Sequence, residues 1–106
     1  MNEETKLQNQ IKIALSKAGC IVFRSNVGVF YTPDGRMVHI GVDGHSDLYG
    51  HSQDGKAFYI EVKTPLGKAS EKQLNFIKQM RKTGANAGIA RSVADALQIV
   101  GGEYGE

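Results

Sequence analysis

Apolar side chains recur at intervals of three and four residues in three segments of the chain, and this spacing predicts three helices. The first is expected over residues 3–18, before Gly19, because glycine favours the backbone conformation that ends helices. The second begins after Ser70 and ends near Gly84, and the third begins after Ser92, since serine caps helix N-termini. The apolar positions are Leu7, Ile11, Ala14, Leu15 and Ala18 in the first helix, Phe76, Ile77 and Met80 in the second, and Val93, Leu97 and Val100 in the third.

Shorter apolar segments bounded by glycine, proline and aspartate predict strands. Pro33-Asp34-Gly35 separates two of them and predicts a hairpin. The order of the elements predicts an α/β fold, a mixed β-sheet flanked by helices, in one domain over residues 1–106 with an irregular tail over 101–106. The expected strands cover residues 20–24, 29–32, 36–40, 46–50, 57–63 and 87–90.

The chain has 106 residues and a mass of 11.5 kDa, which excludes a large multidomain enzyme. Its composition, 41% hydrophobic and 23% charged, is that of an ordinary globular domain. A domain of this size buries about 60 to 70% of the surface of its extended chain, so its core is modest. We therefore expect a homodimer, in which a second subunit adds buried surface.

Cysteine content and the N-terminal sequence predict a cytoplasmic protein. Cys20 is the one cysteine, so no internal disulfide is possible, and the first residues lack the basic and apolar regions of a signal peptide. No apolar stretch approaches the ~18 residues that span a bilayer, which argues against a membrane role.

The net charge is +2, but the basic residues are unevenly distributed. Residues 63–91 carry seven of them against one acid, Glu71. Such a segment suits a polyphosphate ligand, because neutralised phosphates release counterions. The alternative is a solvated helix face without a ligand. The seven are Lys63, Lys68, Lys72, Lys78, Arg81, Lys82 and Arg91.

The candidate chemistry lies in two neighbouring strands. Side chains alternate along a strand, so Glu61 and Lys63 share one face of the fifth strand, while Phe58, Ile60 and Val62 take the apolar face. Two charged groups therefore stand together beside a hydrophobic layer.

The turn between these strands decides whether Asp47 lies beside Glu61. A two-residue loop, Asp54-Gly55, pairs Asp47 with Val62 and points the two carboxylates to opposite faces. A three-residue loop, Gln53-Asp54-Gly55, pairs Asp47 with Glu61 if Gly55 adopts the left-handed conformation of a bulged turn. We predict the three-residue loop.

Two facing carboxylates repel each other. Their pairing is therefore reasonable if a hard divalent cation lies between them. Mg²⁺ or Mn²⁺ fits such a site, and the backbone carbonyl of Val62 is a candidate third ligand. Lys63 would polarise an attacking water or stabilise charge on a phosphate, which is the chemistry of phosphodiester hydrolysis. The alternative is that Asp47, Glu61 and Lys63 form an ion-pair ladder on an edge strand.

Two helical residues add to this group. Glu4 lies three and seven residues before Leu7 and Ile11, on the inward side of the first helix, although an acid also suits the first turn of any helix. Gln73 faces the packed side of the second helix, and it also fits a capping box with Ser70. Both roles of Gln73 are compatible.

The sequence resembles the VRR-NUC domain of the PD-(D/E)xK nuclease superfamily, which has a restriction-endonuclease-like core. The resemblance covers nearly the whole chain, and Ser46 replaces the proline that the superfamily has before the aspartate. The matching residues are Arg24-Ser25-Asn26-x-Gly28, Gly44-His45-Ser46-Asp47-Leu48-Tyr49-Gly50, Ile60-Glu61-Val62-Lys63-Thr64-Pro65-x-Gly67-Lys68-x-Ser70-x-x-Gln73-x-x-Phe76 and Gly84-Ala85-x-x-Gly88-x-Ala90-Arg91-Ser92-Val93-x-Asp95-Ala96.

This resemblance implies roles for individual residues. Asp47, Glu61 and the Val62 carbonyl would be metal ligands, Lys63 the catalytic lysine, Glu4 the acid of the first helix, which would reach the metal directly or through water, and Gln73 the glutamine after the core motif. The expected DNA contacts are Lys68, Lys72, Arg24, Asn26 and Arg91, with a simple turn role as the alternative for Asn26.

The resemblance also implies a biological context. Short stand-alone members are often encoded by phages or mobile elements, which would place this chain in the cytoplasm of a bacterial host. They resemble dimeric Holliday junction resolvases of DNA repair and recombination. We therefore expect a Mg²⁺- or Mn²⁺-dependent DNA endonuclease that selects branched DNA such as four-way junctions. The alternative function is a non-catalytic nucleic-acid-binding module that uses the basic face of residues 63–91.

Overall fold

A computed structural model describes residues 2–103. Half of the predicted irregular tail, residues 104–106, lies outside this range, as does Met1. The elements in chain order are α1 (Glu3–Lys17), β1 (Ile21–Arg24), β2 (Gly28–Tyr31), β3 (Met37–Ile40), β4 (Leu48–His51), β5 (Ala57–Val62), α2 (Glu71–Lys82), β6 (Asn86–Ala90) and α3 (Val93–Val100).

Four strands form a mixed sheet in the order β1-β4-β5-β6, and β2 and β3 form a separate two-stranded sheet. The pairs β1–β4 and β4–β5 are antiparallel, whereas β6 runs parallel to β5 and is reached through α2. Helices α1 and α3 pack together on one face of the large sheet, and α2 packs against β5 and β6 on the other. The predicted α/β fold with a mixed, helix-flanked sheet is confirmed.

The core lies between the large sheet and the helix pair α1–α3. The predicted alternation in β5 is confirmed, because Phe58, Ile60 and Val62 are fully buried on this face. In α3 the prediction was wrong for Leu97, which is exposed, since Ala96 and Ile99 turn inward. The core consists of Ile11, Leu15, Cys20, Leu48, Phe58, Ile60, Val62, Ala90, Ala96 and Ile99.

The turn between β4 and β5 has the predicted three-residue loop. Ser52 and Lys56 close it through a backbone hydrogen bond of 2.9 Å, and Gly55 has a φ of 84°. The ladder pairs Leu48 with Ile60, so Asp47 lies opposite Glu61 one position further along. The predicted register is thereby confirmed.

Strand β4 begins two residues later than predicted. The N–H of Asp47 donates to the side chain of Glu61, and its carbonyl accepts from the N–H of Ser25. These bonds replace the regular strand ladder at this point, because backbone groups at a strand end need other partners. The functional residues therefore lie where β4 stops pairing with β5.

The described part of the chain contains no helix long and apolar enough to cross a lipid bilayer.

Strand β4 requires a residue without a side chain at Gly50. A Cβ atom there would lie 1.8 Å from the carbonyl oxygen of Ile21 on β1, so the two backbones approach too closely for any other residue. We expect Gly50→Ala to lower the free energy of unfolding by about 3 kcal/mol or more, because overpacking forces the strands apart. Gly84→Ala is the control, since a Cβ there meets nothing within 4 Å and its φ of 94° predicts a cost of about 1 to 2 kcal/mol. Urea denaturation measures both; equal losses would contradict this account of Gly50.

Candidate active site

The carboxylates of Asp47 and Glu61 each accept a hydrogen bond from a backbone N–H of the neighbouring segment. Oδ2 of Asp47 accepts the N–H of Val62 at 2.8 Å, and Oε1 of Glu61 accepts the N–H of Asp47 at 3.2 Å. The two acids are thus held side by side at the end of the β4–β5 ladder. Because the N–H and C=O of one strand residue face the same edge, the carbonyl of Val62 is directed to this side as well.

Glu61 is the most deeply buried charged residue of the described chain, with 1% of its surface exposed. Burial, and next the neighbouring Asp47 carboxylate, raise the pKa of Glu61 to about 7, while Lys63 opposes this shift. Burial disfavours the charged carboxylate and the second acid adds repulsion. A cation beside Glu61 would therefore be strongly stabilised.

Lys63 supplies part of that positive charge. Its ammonium nitrogen lies 3.5 Å from Oε2 of Glu61, and its side chain is 15% exposed. The two residues share the sheet face that the alternation predicted. The largely buried ammonium-bearing side chain is therefore held beside the buried carboxylate.

Gln73 forms the predicted capping box and also contacts Glu61. In the capping box of α2 its N–H donates to Ser70 Oγ, and its Oε1 accepts the N–H of Ser70 at 2.9 Å. Since Oε1 is engaged in this way, Nε2 is the end that faces Glu61, and it donates to Oε2 at 2.6 Å. The start of α2 therefore fixes the orientation of the buried carboxylate.

An open pocket of about 450 Å³ lies at this point of the fold. Asp47, directly before β4, and Gln73 of α2 line it, as do Val27 and Asp43 at the two stems of the β2–β3 hairpin. The remaining lining includes Ser25, Gly44, His45, Ser70 and Lys72.

Two features of the site were not deduced from the sequence. Nδ1 of His45 donates to the Ser46 carbonyl at 2.8 Å, and the His45 ring centroid lies 4.7 Å from that of Phe76. Asp43 accepts from Lys72 at 3.1 Å across 29 residues of sequence, and no local pattern indicates such a pair. Asp43 also contacts His39 at 2.8 Å, so it links the hairpin to α2.

Glu4 is half-buried in the first turn of α1. Within residues 2–103, no three His, Cys, Asp or Glu side chains come together as a group able to hold a metal ion. Glu4 therefore does not form a three-carboxylate cluster with Asp47 and Glu61. A water-mediated role for Glu4 stays a prediction.

The residues predicted to contact DNA occupy different surroundings. Lys68 and Asn26 are exposed, and Lys72 is exposed while paired with Asp43. Arg24 shares its sheet face with Leu48 and Ile60, opposite to Glu61, and donates to Asn9 of α1 at 2.6 Å. The structure thus brings Lys72 to the pocket and turns Arg24 away from it.

Arg91 holds the loop that follows β5. Its Nη1 donates to the carbonyls of Thr64 at 2.6 Å and Gly67 at 2.7 Å. Arg81 likewise donates through Nε to the carbonyl of Ala87. Arg81 and Arg91 therefore hold backbone carbonyls of their own chain, and the binding module that uses the basic face of residues 63–91 stays an alternative prediction.

The family of this chain follows from a comparison with protein-family models. The model of the VRR-NUC domain matches residues 36–94, more than half of the chain, and this range contains Asp47, Glu61, Lys63 and Gln73. The chain belongs to the VRR-NUC domain family. VRR-NUC domains are nucleases, and the fold is consistent with the PD-(D/E)xK superfamily.

A solved structure described as a VRR_NUC domain is similar to the whole chain. The match covers 98% of this chain and 100% of that chain, with a TM-score of 0.68 and 23% sequence identity. At this identity the match shows the fold of the VRR-NUC domain, including the parts outside residues 36–94. A comparison with curated proteins finds no match.

The donor set of this VRR-NUC domain fits a hard divalent cation. Asp47 and Glu61 offer carboxylate oxygens, and Val62 offers a carbonyl oxygen directed to the same edge, which are the ligand types that Mg²⁺ and Mn²⁺ prefer. The raised pKa of Glu61 shows that the single positive charge of Lys63 does not offset the burial and the repulsion. A divalent ion would supply the missing charge.

The buried carboxylate predicts an unusual pH dependence of stability. The pKa of Glu61 is about 7 in the folded protein and near 4.5 in the unfolded chain, so its contribution is fully present below pH 4.5 and is lost as the pH rises through 7. The loss amounts to about 3 kcal/mol in metal-free protein. Urea denaturation between pH 4 and pH 8 should show this decline in the wild type relative to Glu61→Gln, with exposed Asp54→Asn as the control. Parallel profiles for wild type and Glu61→Gln would contradict it.

Proposed function

We propose that this VRR-NUC domain is a metal-dependent DNA endonuclease that hydrolyses phosphodiester bonds. The observation that carries the proposal is the pairing of the buried Glu61 with Asp47, with Lys63 3.5 Å from Glu61 and an open pocket alongside. A structural ion pair has no need of a second carboxylate at this position, because that carboxylate adds repulsion.

In the proposal, Asp47, Glu61 and the Val62 carbonyl hold Mg²⁺ or Mn²⁺. Such an ion polarises a phosphoryl oxygen and lowers the pKa of a bound water. Ionised Glu61 is the form that binds a cation, and Lys63 favours that form by lowering its pKa.

Lys63 has a second role toward the substrate. Its ammonium group is held 3.5 Å from Oε2 of Glu61, so it is preorganised to stabilise the negative charge that develops on the phosphate during attack. Because the group is already in place, little reorganisation accompanies the reaction.

Gln73 is a positioning residue in this mechanism. Its amide is locked by the capping box, and its Nε2 holds Oε2 of Glu61. The remaining oxygen is directed to the backbone of Asp47. A fixed carboxylate orientation favours productive geometry, because small displacements at a reacting centre reduce rates strongly.

The proposed substrate is DNA, bound through the exposed cations near the pocket. Lys72 lines the pocket and Lys68 lies in the loop between Lys63 and α2. Phosphates of a strand in the pocket would meet these side chains, which position a backbone without reading its sequence. Arg24 and Arg91 are not included here, because other groups of the protein hold them.

We further propose that the enzyme acts as a homodimer on branched DNA such as a four-way junction. The support is the small domain size and one candidate site in each chain, since a two-fold enzyme matches a two-fold junction. A panel of labelled four-way junctions, flaps, nicked and plain duplexes with Mn²⁺ tests this selectivity. Equal cleavage of plain duplex would overturn the branched-DNA part and leave the nuclease proposal in place.

Single substitutions in the site test the nuclease proposal. We expect Asp47→Asn and Lys63→Met to lower the rate of DNA cleavage with Mg²⁺ or Mn²⁺ by at least about 10²- to 10³-fold, because each removes charge at the reacting centre. The matched controls are Asp54→Asn and Lys56→Met in the exposed β4–β5 turn, which should cleave at the wild-type rate. Chelation of the metal should abolish cleavage by all active proteins.

Cleavage of DNA by Lys63→Met at the wild-type rate would contradict the proposed mechanism. DNA binding without any metal-dependent cleavage by the wild type would favour the non-catalytic module instead.

The ion pair between Lys72 and Asp43 predicts opposite effects on DNA affinity. Lys72→Ala should weaken binding and reduce the slope of log K against log salt by about 0.9, because one phosphate contact is lost. Asp43→Asn should strengthen binding, since it releases Lys72 from a competing carboxylate. Lys12→Ala on the exposed side of α1 is the control. The affinity for fluorescent DNA is measured at several salt concentrations in the presence of Ca²⁺. Identical slopes of log K against log salt for wild type and Lys72→Ala would exclude this contact.

A further inference from the structure

The turn that follows β5 carries the most exposed large apolar side chain of residues 2–103. Leu66 is 94% exposed, so it contributes almost nothing to the core. A single apolar residue on a protein surface is common and needs no explanation by itself. Leu66 differs from such residues in the rigidity of its turn and in its position beside Lys63.

The turn around Leu66 is rigid. The N–H of Gly67 donates to the carbonyl of Thr64 at 3.0 Å, and the ring of Pro65 fixes its φ angle. Nη1 of Arg91 donates to the carbonyls of Thr64 at 2.6 Å and Gly67 at 2.7 Å, which lie on either side of Leu66 in the chain. The backbone that carries Leu66 therefore has little freedom.

Arg91 is itself anchored to the rest of the fold. Its backbone N–H donates to Oδ2 of Asp95 at 2.9 Å, in the first turn of α3. The residue before it, Ala90, accepts the N–H of Lys63 through its carbonyl at 3.1 Å. Burial of a leucine side chain is favourable, and this bracing keeps Leu66 in water instead of letting it fold onto an apolar surface. A partner that covers Leu66 would remove that cost.

The same turn packs against the side chain of Lys63. A Cβ atom at Gly67 would lie 3.6 Å from Cδ of Lys63. Leu66 follows Lys63 by three residues, and a chain of this length spans at most about 11 Å. Successive nucleotides of a DNA strand are about 3.4 Å apart along the helix axis. A phosphate held at Lys63 would therefore have bases within about three steps of Leu66.

The surroundings of Leu66 favour DNA as the partner. Lys68, two residues further on, is exposed and suits a phosphate contact. An open groove of about 570 Å³ borders the turn on the side of α1, so a group as large as a base can approach Leu66. Ser70, at the end of the same loop, lines the pocket that contains Asp47. DNA bound in the pocket would thus be continuous with DNA at Leu66.

We propose that Leu66 is a wedge that inserts between neighbouring bases of the bound DNA and unstacks them close to the scissile phosphate. This inference rests on the proposed nuclease function and adds to it the DNA conformation that the site selects. Apolar side chains such as leucine enter base steps in proteins that kink DNA, and the braced turn supplies the rigid backing that insertion requires. Unstacking costs least where pairing is already weakened, so the wedge favours mismatched or branched DNA over intact duplex.

The fluorescence of 2-aminopurine tests the wedge without cleavage, because stacking quenches this base analogue. The cut is first mapped with the wild type in Mn²⁺. In Ca²⁺, binding of the wild type should raise the fluorescence of an analogue placed within about three nucleotides of the cut several-fold. Leu66→Ala should leave the fluorescence near that of free DNA, and Leu66→Met should restore most of the rise, since methionine is apolar and similar in volume. Leu97→Ala on α3, a site 43% exposed, is the matched control and should behave as the wild type.

Cleavage gives a second readout that separates insertion from a structural role of Leu66. On the fully paired DNA that the wild type cuts fastest, Leu66→Ala should be slower by at least about 10-fold, because the variant no longer contributes to unstacking. Two mismatched base pairs at the cut should restore its rate to nearly that of the wild type, since this DNA is already unstacked. A distorted turn would slow the cleavage of both substrates equally.

Several outcomes would overturn the wedge and leave the nuclease proposal in place. These are a fluorescence rise that Leu66→Ala retains, no rise with a wild type that binds the DNA, equal cleavage of paired DNA by wild type and Leu66→Ala, and equal slowing of Leu66→Ala on paired and mismatched DNA. A wild type that neither binds nor cleaves DNA would overturn both proposals together.

Discussion

The burial of the Glu61 carboxylate beside Asp47 is the interaction on which the rest of the site depends. A buried acid next to a second acid raises the free energy of the fold unless other groups compensate. Three elements provide that compensation: the backbone N–H of Asp47, the amide of Gln73 and the ammonium group of Lys63. The pKa of about 7 for Glu61 shows that the compensation is incomplete, and this residual cost is what a divalent cation would remove.

Each compensating group requires a specific local structure. The loop of three residues before Lys56 places Asp47 opposite Glu61, and a loop one residue shorter would separate them. The capping box of α2 determines which end of the Gln73 amide faces the carboxylate. Arg91 fixes the loop that leads from Lys63 to α2. The site is therefore assembled from turns and caps around a rigid strand, an arrangement that suits precise positioning.

Most of the fold and the centre of the site were predictable because they depend on local patterns. A few consecutive residues are enough to predict the alternation of side chains in β5, the glycine of the β4–β5 turn and the capping box of Ser70 and Gln73. Contacts between distant segments were not predictable in this way. The pairing of Asp43 with Lys72 and the bonds of Arg91 to Thr64 and Gly67 depend on how separate elements meet. Charge counting along residues 63–91 likewise gave no sign that Arg91 and Arg81 hold backbone carbonyls.

Calorimetric titration with Mn²⁺, in buffers of different ionisation enthalpy, tests the central claim most directly. If Asp47 and Glu61 hold the ion, binding at pH 7 should release about half a proton, because about half of the Glu61 side chains are protonated in the metal-free protein, and the release should disappear toward pH 9. Asp47→Asn and Glu61→Gln should weaken Mn²⁺ binding severely, and Asp54→Asn should leave it unchanged. Mn²⁺ binding that neither of the first two substitutions alters, or no binding at all, would contradict the account.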